Sequence, residues 1–262
     1  MSQTAPDDIL LRDDRDGICT LTLNRPQARN ALSRPLMAAL QQQLDALRDD
    51  ASVTVVVLAA NGPAFCAGHD LKEVQSLHNE QHLALFQQCS RMMMSIVTLP
   101  KPVIARVHAM ATAAGCQLVA SCDLAYAADS AQFATPGVNI GLFCSTPMVA
   151  LSRNVPRKIA MEMLLSGKPI PASRAAAFGL INEAVAAEEL DGAVYGMARA
   201  IASKSPLTLA IGKEAFYRQV EMPLADAYDY ASEVMARNMA AADAAEGIDA
   251  FLGKRPPQWC GR

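Results

Sequence analysis

No apolar run in this 262-residue chain approaches the ~20 residues of a membrane-spanning helix, so no membrane span is expected. Basic clusters are equally absent. With a formal charge of −3 and no block of lysine or arginine, the chain offers no electrostatic footprint for nucleic acid. The opening residues, MSQTAPDDILLRDDRDG, are acidic where a secretory or transit leader is basic, which points to a soluble, cytoplasmic protein. The seven cysteines are odd in number, scattered and never in a C-x-x-C pair, so they read as reduced core thiols rather than a disulfide or zinc framework. His78 and His82 of HNEQH stand one helical turn apart but lack the H-E-x-x-H order and a third ligand, and no metal is expected. There is no G-x-G-x-x-G, no G-x-S-x-G, and SGKPIPAS lacks the glycine spacing of a P-loop. Internal repeats, low-complexity blocks and flexible linkers are missing too.

What is present is an alternation of strands and helices. GICTLTLNRP (17–26) alternates apolar and polar residues up to Pro26, as a half-buried strand does. Ser33 stands as N-cap to a helix carrying Leu36, Leu40, Leu44 and Leu47 on one face. The β-branched run VTVVVLAA (53–60) predicts a strand covered on both faces. A turn-rich loop, NGPAFCAGHDLKEV, then leads to a helix where Asp70 and Glu73 have capping-box spacing. After a helical stretch to about Leu99, KPVIARVHA reads as a strand, MATAAG as a small-residue turn, CQLVAS as a helix and CDLAYAA as another strand. The implied architecture is a mostly parallel α/β core over residues 1–186, followed by a helical region over 187–262. The Met-rich segment CSRMMMSIVTLP reads as a core helix more readily than as the lining of an acyl tunnel.

Two strand-turn-helix junctions, near His69 and Ala114, each present backbone N–H groups at a helix start, where the helix dipole favours negative charge. Their neighbours Ala67, Gly68, Ala113 and Gly115 are small enough for a ligand to approach the backbone. Two such donors on one oxygen would stabilise charge developing on a carbonyl. Spacing leaves convergence open, and tight helix–sheet packing accounts for the same residues.

NRPQARNAL (24–32), AFCAGHDLKEV (64–74), KPVIARVHAMATAAGCQLVASCDLAYA (101–127), FATPGVNIGL (133–142) and AFGLINEAV (177–185) resemble, in order, the motifs of the crotonase superfamily of enoyl-CoA hydratases and isomerases. Within it, ATAAGCQLVASCD and FATPGVNIGLFCSTP are most similar to the enoyl-CoA hydratase domain-containing branch. The resemblance implies a spiral of ββα units with a C-terminal trimerisation region, in a homotrimer or dimer of trimers. It also implies an acyl-CoA thioester of fatty-acid metabolism, with coenzyme A entering as part of the substrate and no separate cofactor. The thioester carbonyl would lie between the backbone N–H groups of His69 and Ala114, near Ala67, Asp70 and Leu71. The Ala28 loop would receive the adenine and Lys72 the phosphates, while Phe251 and Lys254 would reach the coenzyme on a neighbouring subunit. Each lysine is equally accounted for as a solvated surface charge. The His69 side chain either narrows the pocket mouth or simply covers the loop.

The departure from the family pattern bears on the chemistry. Family hydratases add water with two glutamates, and the matching positions here are Gln117 and Gly137, neither of which can carry a proton near neutral pH. Between Ile104 and Val155 the only acids are Asp123 and Asp129. Asn139 and Cys144, with Ser145 and Thr146, could orient water or substrate; Cys144 lacks an activating base and reads as a buried thiol. The expectation is a nominal enoyl-CoA hydratase with weak or altered activity, the alternative a non-catalytic acyl-CoA binder.

Overall fold

The computed structural model describes residues 9–262, and the first part of the acidic opening segment, residues 1–8, lies outside the described residues. Strands β1 (Leu10–Arg15) and β2 (Ile18–Leu23) form an antiparallel hairpin. Its two-residue turn is Asp16-Gly17, with φ of 51° and 76°, the left-handed pair that closes a tight hairpin. β1 is a charged, mostly exposed edge strand with no apolar alternation, so only its turn announces it in the sequence. From β2 the sheet continues in parallel through β3 (Val55–Ala60), β4 (Val103–Val107), β6 (Leu124–Ala128) and β9 (Glu183–Val185). A smaller sheet joins β5 (Ala111–Thr112), β7 (Gln132–Ala134) and β8 (Ile170–Pro171).

Helices α1 (Arg34–Arg48), α2 (Leu71–Ser76), α3 (Asn79–Val97), α4 (Ala114–Ser121), α5 (Pro147–Asn154), α6 (Arg157–Ser166) and α7 (Ala172–Ala177) follow in chain order. Ser33 caps α1 by accepting from the Leu36 N–H, and Leu36, Leu40, Leu44 and Leu47 are buried, as their spacing predicts. Asp70 caps α2 by accepting from the Lys72 N–H at 3.2 Å. Glu73 does not complete a capping box there; its carboxylate accepts instead from the Arg34 N–H at 2.9 Å, tying α2 to the start of α1. Met92, Met93 and Ile96 of α3 are buried in the core.

Every residue of β3 is buried because both faces of the sheet are covered. Val56, Leu58 and Ala105 face the side of α1, α3 and α4; Val55, Val57, Ile104 and Tyr126 face the other. That second face is covered by α8 (Leu190–Ala202) through Leu190, Val194 and Ala198. The composition shift near residue 187 therefore marks a change of secondary structure, while α8 itself completes the core. Burying each of its large aliphatic side chains contributes roughly 1.5–3 kcal/mol.

Helices α9 (Pro206–Gln219), α10 (Leu224–Met239) and α11 (Ala242–Leu252) extend beyond it. α9 is fixed by one buried cation. Lys213 Nζ donates to the carbonyls of Ile96 and Lys101 and to Asp123 Oδ2, while the Tyr217 hydroxyl donates to Asp123 Oδ1. No described helix is long and apolar enough to cross a membrane.

Six of the seven cysteines are buried; Cys260 is exposed, contrary to the expectation of seven core thiols, because it follows the last helix. Burial pushes the thiols of Cys19, Cys66, Cys89 and Cys116 up to about 12. A thiol reagent at neutral pH should accordingly titrate a single fast cysteine in the native protein and the other six only after denaturation. Loss of the fast thiol in Cys260→Ser checks the assignment.

Candidate active site

The loop after β3 is fastened on both sides by backbone pairing. On one side Leu32 N–H donates to Gly68 O at 2.7 Å and Ala67 N–H to Arg29 O at 3.0 Å; on the other Thr112 N–H donates to Cys66 O at 2.9 Å. The fully buried Asn30 side chain accepts from the Arg25 N–H and donates to the carbonyls of Asn61 and Ala64, which fixes the first of these edges. Arg25 in turn reaches Ala31 O at 2.6 Å and Asp70 Oδ2 at 3.1 Å. Burial alone would raise the Asp70 carboxyl, but this guanidinium and nearby backbone donors bring it below its ordinary range.

Two glycines bring this loop against α4. A Cβ on Gly115 would lie 2.1 Å from Cys66 O, so only glycine permits the approach. Gly68 has φ of +89°, and a Cβ there would lie 2.9 Å from Ala113 Cβ and 3.3 Å from Ala114 N. Ala113 itself takes φ 50°, ψ −119°, and its N–H donates to Ala134 O at 2.9 Å. The junctions at His69 and Ala114 are thus side by side. Neither N–H donates to a backbone carbonyl among the described residues. Two N–H groups so placed are what stabilisation of a carbonyl oxyanion requires.

Ala67 and His69 belong to the loop and Gln117 to α4, while Cys144 lies near Cys116 of α4 and is packed against Gly137. Gln117 lies one turn into α4, 5% exposed, and its Oε1 is buried without a partner. The His69 ring packs edge-on against Phe86 at 5.4 Å, with both ring nitrogens buried. Burial holds its pKa down, only partly offset by the Leu32 backbone and Glu73. Gly137 is not an open position. A Cβ there would meet Leu142 O at 2.6 Å and Cys144 Sγ at 2.9 Å, and the Gly137 N–H points to Cys144 Sγ at 3.3 Å. Cys144 is therefore a buried packing thiol whose pKa is raised by desolvation.

The other residues singled out from the sequence lie elsewhere. Ala28 ends the short turn Pro26–Ala28 and does not line the groove of about 400 Å³ that Asp70 and Lys72 form with Arg25, Ser33, Pro35 and Glu73. Leu71 is 55% exposed at the first turn of α2. Asn139 is exposed and sits against Gly167, at the start of the turn after α6. Phe251 and Lys254 are exposed at the end of α11, and Arg255 beside them pairs with Glu246 and Asp249. His82 Nε2 meets Val74 O, and among the described residues no group of three or more His, Cys, Asp or Glu is placed to hold a metal ion. Three residues passed over in the sequence adjoin these: Arg25 bonds to Asp70, Phe86 packs on His69, and Thr135 follows Ala134, the acceptor of the Ala113 N–H. Thr135 is fully buried with an unpartnered hydroxyl, and only its place directly after a strand and before Pro136 marks it in the sequence.

Filling the Gly137 position should overpack the turn. Gly137→Ala is expected to lower stability by roughly 1–3 kcal/mol in urea unfolding, and an unchanged midpoint would show that the Leu142–Cys144 turn yields freely.

A model of the family described as enoyl-CoA hydratase/isomerase matches residues 13–262. The chain is 48% identical over 244 residues, 93% of its length and 83% of the relative's, to a Xenopus laevis protein named enoyl-CoA hydratase domain-containing protein 3, mitochondrial. The Homo sapiens protein of that name is 48% identical over 245 residues, covering 93% of this chain and 81% of its own. A crystal structure of an enoyl-CoA hydratase from Mycobacterium smegmatis matches with a TM-score of 0.95 at 52% identity, over 97% of this chain and 99% of that one. The mitochondrial names of these relatives overturn the cytoplasmic expectation drawn from the acidic opening segment. A targeting address is carried apart from the folded domain, so the domain's composition does not report it. The ordered motifs, the two-sheet fold and these matches agree, and the chain belongs to the enoyl-CoA hydratase/isomerase family of the crotonase superfamily, in the likeness of its enoyl-CoA hydratase domain-containing branch.

Proposed function

We propose that this protein binds an acyl-CoA thioester with the carbonyl oxygen between the backbone N–H groups of His69 and Ala114. The observation that carries the reading is the close approach of the two junctions, with both N–H groups unengaged by backbone carbonyls. Hydrogen bonds aimed at an oxygen that gains charge act most strongly when they are held in place beforehand and shielded from water. The coenzyme would run outward over the groove beside Asp70 and Lys72, where Lys72 suits a phosphate as a flexible cation. Phe251 and Lys254 would serve the coenzyme on a neighbouring copy in a homotrimer or dimer of trimers. Their exposure, and that of Phe216, Tyr228 and Met235 on α9 and α10, supports such an assembly.

Hydration by two glutamates is not the chemistry we assign. Gln117 keeps an amide where one carboxyl would stand, and Gly137 cannot take even a Cβ without displacing Leu142 or Cys144. Each missing acid–base group forfeits ~10²- to 10⁴-fold in rate. A second reading, a thioester binder without turnover, is favoured by the same two positions. The two are separated by whether any thioester in a panel of enoyl-, malonyl- and hydroxyacyl-CoA turns over above the protein-free rate.

Crotonyl-CoA hydration should run at least ~10³-fold below that of a two-glutamate relative under the same conditions. A comparable rate would sink the assignment. Gln117→Glu alone should recover no more than about 10²-fold, since only one of the two groups returns. Adding Gly137→Glu should cost folding stability rather than complete the pair.

A further inference from the structure

We propose that Asp243 is a positioning residue: its carboxylate closes the C-terminal segment, residues 255–262, into a strap that holds α11 so that Phe251 and Lys254 stand where the coenzyme on a neighbouring copy needs them. This rests on the thioester-binding reading above and names the group that sets the far half of the coenzyme contact.

α11 has little of its own to keep it in place. Of its 11 residues only Asp243 and Ala250 are buried, and Phe251 and Leu252 at its end are 84% and 73% exposed. A helix this short is marginal in water by itself, so its direction has to come from contacts with the rest of the chain.

The tail supplies them. Asp243 Oδ1 accepts from the Cys260 N–H at 2.7 Å, Oδ2 accepts from the Gly261 N–H at 3.0 Å and the Ser205 hydroxyl at 2.5 Å, and the Asp243 N–H donates to Arg262 O at 3.1 Å. Ser205 Oγ is also the N-cap of α9, accepting from the Thr208 N–H at 3.1 Å. One buried carboxylate thus joins the starts of α9 and α11 to the end of the chain. The Trp259 indole N–H donates to Ser203 O at 2.8 Å, and its ring covers Gly247, where a Cβ would lie 3.2 Å away. Glu246 accepts from the Gln258 N–H at 2.7 Å and from both Nη atoms of Arg255, which also reaches Asp249.

The strap begins at a strained residue. Lys254 turns the chain back with φ of 51°, a left-handed conformation that a lysine keeps only where its surroundings impose it. The Arg255 N–H closes the reversal on Ala250 O at 3.0 Å. Arg255 is engaged by Glu246 and Asp249, which leaves Lys254 as the cation of the turn with no ion pair among the described residues. A charged side chain held in advance at the tip of a closed loop binds an anion with less ordering to do than one on a loose end. Releasing the strap frees Lys254 to leave its left-handed conformation and takes the direction of α11 with it.

The chain's single tryptophan lies in the strap, so its emission reports release directly. The test compares the full-length protein with Asp243→Asn, Lys254→Ala and the double variant. It reads Trp259 emission and acrylamide quenching, and equilibrium binding of acetyl-CoA and of S-acetylpantetheine, which keeps the thioester and lacks the nucleotide, under conditions where sedimentation shows an unchanged oligomer. Asp243→Asn should red-shift the emission, expose Trp259 to quencher and weaken acetyl-CoA about tenfold, with S-acetylpantetheine held within about twofold. The double variant should bind acetyl-CoA within about twofold of Lys254→Ala alone, because both changes act through one contact. If Asp243→Asn does not fold, a chain ending at Arg255 takes its place with the same two ligands. If the released strap leaves acetyl-CoA affinity unchanged, if both thioesters weaken alike, if the losses multiply in the double variant, or if Trp259 stays in place, this inference is overturned and the thioester reading stands. If neither thioester binds the unaltered protein, both fall.

Discussion

The site depends on the contact between the Cys66 carbonyl and Gly115. Any side chain at Gly115 would begin 2.1 Å from that oxygen, well inside van der Waals contact, and would drive α4 away from the loop that carries His69. The approach fixes the separation of the two N–H groups, because Ala114 precedes Gly115 and His69 lies three residues after Cys66. Gly68 makes a second restriction, since its left-handed φ turns the chain past Ala113 at a point where a Cβ has no room. The strained φ of Ala113, of the kind that costs of order 1–3 kcal/mol, is held by its bond to Ala134 and by the pairing of Thr112. Strain there is tolerated because the surrounding pairing leaves the chain no other course.

The elements that set this geometry were largely legible in the sequence. The β-branched run of β3, the leucine spacing of α1 behind Ser33, and the small residues at both junctions each carry a local signal, and local signals survive folding. Where the signal is tertiary, it was not legible. Glu73 has capping-box spacing yet bonds to Arg34, 39 residues away in sequence, because folding brings α1's first N–H groups within its reach. β1 opens on two leucines and runs on through four charged residues along a sheet edge, so it carries no apolar–polar alternation. α8 reads like the helices that follow it, and only contact with Val55, Val57 and Ile104 shows that it closes the core.

The two positions that differ from the hydratase pattern looked equivalent as letters and are physically unlike. At Gln117 the side chain remains, fills its space and keeps a buried oxygen unpaired. At Gly137 the space itself has gone: the turn through Leu142 and Cys144 has closed over it, with a thiol where a carboxyl would pass. Restoring a carboxyl is a change of one functional group at the first and a repacking of a turn at the second. A glycine in sequence reports only that a side chain is missing; whether the room for it persists is settled by residues five and seven positions on.

This asymmetry bears on what the site can discriminate. A pocket that had merely lost its acid–base groups to apolar residues would bind thioesters by shape and reject little, since an added methylene or hydroxyl changes affinity in such a pocket by only ~1–3 kcal/mol. Here the side chains of Gln117, Thr135 and His69 stay polar and buried. An unpartnered buried polar atom destabilises the protein that carries it, and Gln117 Oε1 and Thr135 Oγ1 are two such atoms. The cost of the polar lining is thus borne by the empty protein.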